Sequence, residues 1–113
     1  MTYRSTAVVI SVRDRDTIFP VLDEVKKFNN AISVLVESDP RKRYANIGAD
    51  VYINTDGDST FRRGRFLNQG IKAVIDEATH FLITDADVLI KPESFDRIVE
   101  YSEKSDRNVV YPK

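Results

Sequence analysis

The sequence predicts an α/β fold: an open, mostly parallel sheet of about five strands with helices on both faces. Three observations carry this expectation. Apolar, β-branched runs alternate with segments whose apolar residues recur at helical spacing. The strand-like runs are continuous rather than alternating, as in strands covered on both faces. Polar clusters follow the strands, at the end where open parallel sheets bind ligands. The chain of 113 residues reads as one domain, 1–113, with one core.

The elements follow in order. AVVISV (7–12) is a buried strand. TIFPVLDEVKKF (17–28) is a helix: Thr17 is placed to cap it, Pro20 fits only its first turn, and Leu22, Val25 and Phe28 share a face. AISVLVE (31–37) is a second buried strand. SDPRKRYANIG (38–48), with a cap, an early proline and a closing glycine, predicts a short helix. DVYIN (50–54) is a third strand, followed by the polar loop TDGDST (55–60). In FRRGRFLNQGIKAVIDEA (61–78), Phe66, Leu67, Gly70, Ile71, Val74, Ile75 and Ala78 mark the apolar face of a helix. HFLIT (80–84) is a fourth strand, PESFDRIVEYSEK (92–104) a helix opened by Pro92, and NVVYP (108–112) a short fifth strand.

Composition excludes several functions. A formal charge of -1 gives no global field for nucleic acid or an anionic membrane. Without cysteine there is no disulfide, zinc–thiolate site or thiol nucleophile. No apolar run approaches the ~20 residues of a membrane span. The apolar run at the N-terminus is too short for a secretory signal. A cytoplasmic protein is expected.

The chemistry gathers where HFLITDADVLIKPE carries an apolar strand into Asp85 and Asp87. On an extended backbone, i and i+2 side chains leave on one side. Two carboxylates so placed repel each other unless a proton, a cationic group or a metal lies between them. Three Asp-x-Asp triplets occur among twelve aspartates, so context must separate them. Asp56 and Asp58 flank a glycine in a turn-like loop, and Asp14 and Asp16 alternate with arginines. Asp85 and Asp87 end a buried strand with no Lys or Arg in the five residues before them. Such a hard-oxygen pair suits Mg²⁺ or Mn²⁺ bound with a phosphate-bearing substrate. The plainer reading is a solvated strand end with an aspartate capping the helix that starts near Pro92.

These residues resemble a family. GDSTFRRGRFLNQGIKAVIDEATHFLITDADVLIKP is similar to the donor core of inverting GT-A glycosyltransferases of the family 2, galactosyltransferase and chondroitin-polymerase type. Phe61, Arg63, Asn68 and Gly70 fall in register with the F-N-R-x-x-x-x-N-x-G helix, with Arg62 in place of the asparagine. Asp85, Asp87 and Pro92 match the D-x-D and the proline beyond it. VVISVRDRD resembles the I-I-P-F-R-N-R segment, with Arg13 and Arg15 on its arginines and Asp14 on its asparagine, and Glu37 falls where an acidic residue sits near uracil and ribose.

The resemblance implies a Rossmann-like nucleotide-diphospho-sugar-binding half and a UDP-sugar donor. It also implies a Mn²⁺ or Mg²⁺ cofactor on Asp87 and Asp85, and hexosyl transfer to an unidentified saccharide or other hydroxyl acceptor. The second aspartate would hold the metal and the first the ribose or sugar hydroxyls. Arg13, Arg15 and Arg63 would hold phosphate oxygens. Asn68 would hydrogen-bond the loop carrying the first aspartate, and Gly70 would let the helix approach the sheet closely. Only 26 residues follow Asp87, and they contain no recognisable acceptor motif or general base. The expectation is therefore the donor half of such an enzyme. It could be a weak catalyst, a homo-oligomer that recovers an acceptor surface, or a non-catalytic binding module.

Other classes place D-x-D after a strand. Haloacid-dehalogenase-type phosphatases put it at the start of the fold. Toprim-type nucleases pair it with a strand-end glutamate, for which Glu37 is the candidate, though Ser38 stands where glycine usually follows. Nucleotidyltransferases favour a glycine-rich loop, and RDRDTIF contains none. An interaction domain with surface salt bridges is the non-enzyme alternative. His80 and the tyrosines Tyr44, Tyr52 and Tyr101 read as structural.

Overall fold

The computed structural model describes residues 6–55, 68, 70–104 and 109–110. Five strands form one sheet in the order β3-β2-β1-β4-β5, where β1 is Thr6–Val12, β2 Ala31–Glu37, β3 Val51–Asn54, β4 His80–Asp85 and β5 Val109–Val110. Every pairing is parallel. This is the Rossmann-like arrangement expected. Strand β1 is central and buried at all seven positions, which accounts for its apolar run with only Thr6 and Ser11 polar.

One face of the sheet carries helix α1 (Ile18–Val25) and helix α2 (Pro92–Lys104). Ile18, Val21, Leu22, Val25 and Phe28 pack there with Val8, Ile10, Leu35, Leu82 and Phe95. The rings of Phe28 and Phe95 stack with centroids 4.1 Å apart, joining the two helical segments. On the other face Val74, with Ile71 and Ala78 partly covered, packs on Ala7, Val9, Val34, Val36 and Ile83. Gly70 is buried on this face, and a Cβ there would meet Val9 Cγ1 at 2.6 Å and Val36 Cγ2 at 3.0 Å. The close approach expected of Gly70 is what the backbone requires.

Three expectations need correction. Residues 38–48 form turns, not a helix. The Asp39 carboxylate accepts the Arg41 backbone N–H, and Lys42 has φ +52°, a left-handed conformation that no helix interior tolerates. Thr17 makes no side-chain cap, because its backbone is already helical at φ -58° and ψ -17°. Regular helix ends at residue 73, turns follow over 74–77, and Ile75 lies 57% exposed rather than on the apolar face. Among the described residues no helix is long and apolar enough to cross a membrane.

Candidate functional site

Strand β1 sits between β2, which follows it in sequence, and β4, which arrives after two further connections. The strand order therefore reverses between β1 and β4. Parallel sheets open a crevice at the carboxyl ends of the strands at such a reversal. A cleft of about 500 Å³ lies there, lined by Ser11, Arg13, Arg15, Asp85 and Asp87 with the intervening residues Val12 and Ala86. Its volume is within the range of small-molecule sites.

The two aspartates reach the cleft differently from the extended arrangement expected. Asp85 is the last residue of β4, and Asp87 lies in a turn closed by the Val88 N–H donating to the Asp85 carbonyl at 3.2 Å. Ala86 between them is buried, whereas Asp87 is exposed. The turn carries Asp87 toward the β1–α1 loop, where its Oδ2 lies 3.7 Å from Arg15 Nη1. Both partners are more than half exposed, so the pair contributes little to stability. A cation thus faces the aspartate pair from a segment distant in sequence. Ser11 opposes Asp85 in the β1–β4 register and donates its hydroxyl to Asp85 Oδ1 at 3.2 Å. Sequence reasoning passed over Ser11, although a lone hydroxyl near the end of an apolar strand was the available signal.

Glu37 is not among the cleft residues. It is fully buried at the end of β2. Its Oε1 accepts the Tyr52 hydroxyl at 2.6 Å and the Tyr44 N–H at 3.2 Å, and its Oε2 the Arg43 N–H at 3.1 Å. Its contacts are therefore to the protein's own segment 38–48 and to β3. The Glu37–Asp85–Asp87 grouping that a Toprim-like site needs is not formed. Burial, with the bond to Glu37, pushes the Tyr52 phenol up to about 12. Tyr44 is raised by burial and by its hydrogen bond to Asp16.

Asp14 also departs from its expected place. Its backbone is left-handed at φ +49°, and its carboxylate pairs with the guanidiniums of Arg43 and Arg41 instead of lining the cleft. Asn68 is exposed and does not line the cleft. Arg63, like Phe61 and Arg62, lies outside the described residues. His80 pairs with its neighbour, Nδ1 lying 2.9 Å from Thr79 Oγ1. Of the expected site residues, the structure brings together Arg13, Arg15, Asp85 and Asp87.

No family model matches the chain, and no curated protein matches it. Among the described residues no group of three or more His, Asp or Glu side chains forms a ready-made metal cage. Two carboxylates beside two arginines instead fit the way Mg²⁺ and Mn²⁺ are commonly held, by one or two carboxylates and the phosphates of a bound substrate.

Proposed function

We propose that the cleft binds a nucleotide-diphospho-sugar, with UDP as the expected nucleotide, for transfer of the sugar to a hydroxyl acceptor. The observation that carries this reading is the meeting of Arg13 and Arg15 with Asp85 and Asp87 at the point where the strand order reverses. Carboxylates alone would suit a cation, and arginines alone an anion. Both together suit a metal-bridged diphosphate. The D-x-D and arginine segments that resemble GT-A donor sites support the same assignment.

Asp87 and Asp85 would hold Mn²⁺ or Mg²⁺. The bound ion would neutralise charge on the departing nucleoside diphosphate. Ser11 fixes one oxygen of Asp85, so the carboxylate is oriented before any ligand arrives. Arg15, now beside Asp87, and Arg13 would donate to phosphate oxygens. Binding without transfer is a second reading, favoured by one observation: beyond Asp85 and Asp87, no carboxylate or imidazole lines the cleft among the described residues.

Calorimetric titration of UDP with Mn²⁺, with EDTA and with Asp87→Ala tests the proposal. Asp87 is exposed on a turn, so its removal should leave the fold intact while weakening metal-dependent binding by about 10- to 100-fold. Equal binding with Mn²⁺ and with EDTA would rule out the metal-bridged mode. Absence of UDP binding under every condition would sink the donor-site reading.

A further inference from the structure

We propose that Asp14 and Glu37 are positioning residues that present Arg13 and Arg15 to the diphosphate, and are not ligands of the nucleotide. The assignment rests on the reading of the cleft as a diphosphate site, and it arises from a chain of contacts running around that cleft. Buried Glu37 holds the N–H groups of Arg43 and Tyr44. Asp39 holds the N–H and guanidinium of Arg41. The segment fixed in this way then grips the β1–α1 loop at two points. Arg41 and Arg43 take the carboxylate of Asp14, and the Tyr44 hydroxyl donates to Asp16 Oδ1 at 2.9 Å. Arg15 lies between the two gripped residues, and it is the one that reaches Asp87.

Two left-handed residues make the clasp geometrically workable. Asp14 at φ +49° and Lys42 at φ +52° each sit between a pair of arginines. Aspartate tolerates this conformation better than most residues. At Asp14 the chain bends so that its carboxylate engages Arg41 and Arg43, while Arg13 and Arg15 on either side line the cleft. At Lys42 the complementary bend lets Arg41 and Arg43 converge on that one carboxylate.

The proposal predicts a sign opposite to simple electrostatics. Asp14 lies next to two residues that line the anion site, within a Debye length, so deleting its charge alone should tighten anion binding. Loss of positioning should weaken it.

The test measures UDP affinity with Mn²⁺ and amide hydrogen exchange on wild type, Asp14→Asn, Arg41→Gln/Arg43→Gln and the triple variant. Asparagine keeps the tolerance for a left-handed backbone and removes the ion pairs. Asp14→Asn is expected to weaken UDP binding about tenfold, the usual scale for groups supporting a ligand-contacting shell. The triple variant should bind no worse than the weaker of the two parents, because Asp14 acts through the arginines.

In the same variant, exchange of the Ile18 and Phe19 amides should accelerate. Those amides close the loop onto the Arg15 and Asp16 carbonyls. Glu37→Gln, which replaces one of the two accepting oxygens with an NH₂ group that cannot accept an N–H, should accelerate the same two amides from a distance. Tighter UDP binding in Asp14→Asn, or unchanged exchange at Ile18 and Phe19, overturns the proposal. If wild type binds no UDP, the donor-site reading fails while the exchange measurement still decides whether the clasp holds the arginine loop. If Glu37→Gln does not fold, Asp14→Asn decides alone, since Asp14 is surface-exposed.

Discussion

Ser11 and Asp85 stand opposite each other on adjacent parallel strands, and the Ser11 hydroxyl bonds the Asp85 carboxylate across a separation of 74 residues. The bond ties one oxygen of the aspartate pair to the central strand. On the proposed metal–diphosphate reading of the cleft, Ser11→Ala should weaken Mn²⁺-dependent UDP binding by about 10- to 100-fold, as loss of groups that orient metal ligands does. Ser11→Thr should restore most of it. Calorimetry on the two variants checks this, and equal affinity in Ser11→Ala and wild type would dismiss the orienting role.

Gly70→Ala should destabilise the protein by about 1–3 kcal/mol, the usual cost of overpacking. The added methyl meets Val9 and Val36, which belong to the central sheet and have little room to move. Urea unfolding at neutral pH measures it. The paired variant Gly70→Ala/Val9→Ala should recover part of the loss.

Asp39 gives an acid-side prediction. Its hydrogen bonds from the Arg41 side chain and backbone hold its carboxyl down at about 2, against 3.8 for the free group. A depressed folded value means the contribution is fully present above the unfolded value and is lost as pH falls through the folded one. Wild-type stability should therefore decline between about pH 4 and 2 more steeply than that of Asp39→Asn. Urea midpoints over pH 2–7 show the difference, and parallel curves would refute it.

Tyr52 gives the alkaline counterpart. Its folded value of about 12 lies above the 10.0 of a free phenol, so the contribution is present below pH 10 and lost as pH rises through 12. Tyr52→Phe should cost about 1–3 kcal/mol by removing a bond to a buried carboxylate. It should also delete a phenol titrating near 12 from an ultraviolet pH titration.

Much of the fold was legible because strands and helices are coded locally. The run 31–37 and the helix 92–104 begin and end where periodicity and Pro92 predict. The segment 38–48 carried local helix signals as well, yet forms turns. Its backbone N–H groups are claimed by carboxylates, Asp39 for Arg41 and the preceding strand-end Glu37 for Arg43 and Tyr44. Within the site, the residue types of Arg13, Arg15, Asp85 and Asp87 were readable, and so was their gathering at the strand ends. Asp14 and Glu37 were not. An acidic residue at a strand end reads alike whether it faces a ligand or its own loop, and only the tertiary partners Arg41, Arg43, Tyr44 and Tyr52 separate the two.

The place of β1 between β2 and β4 has a consequence for biosynthesis. Ser11 emerges from the ribosome 74 residues ahead of Asp85, a delay of about 4–15 s at ordinary elongation rates. Once β2 has followed, the largely apolar β1 can pair with it on one side while its other edge stays open. An unpaired apolar edge is a template for other chains. The nascent protein is thus most vulnerable to aggregation just before the strand that completes the cleft arrives, and the step that finishes the cleft also seals that edge of β1.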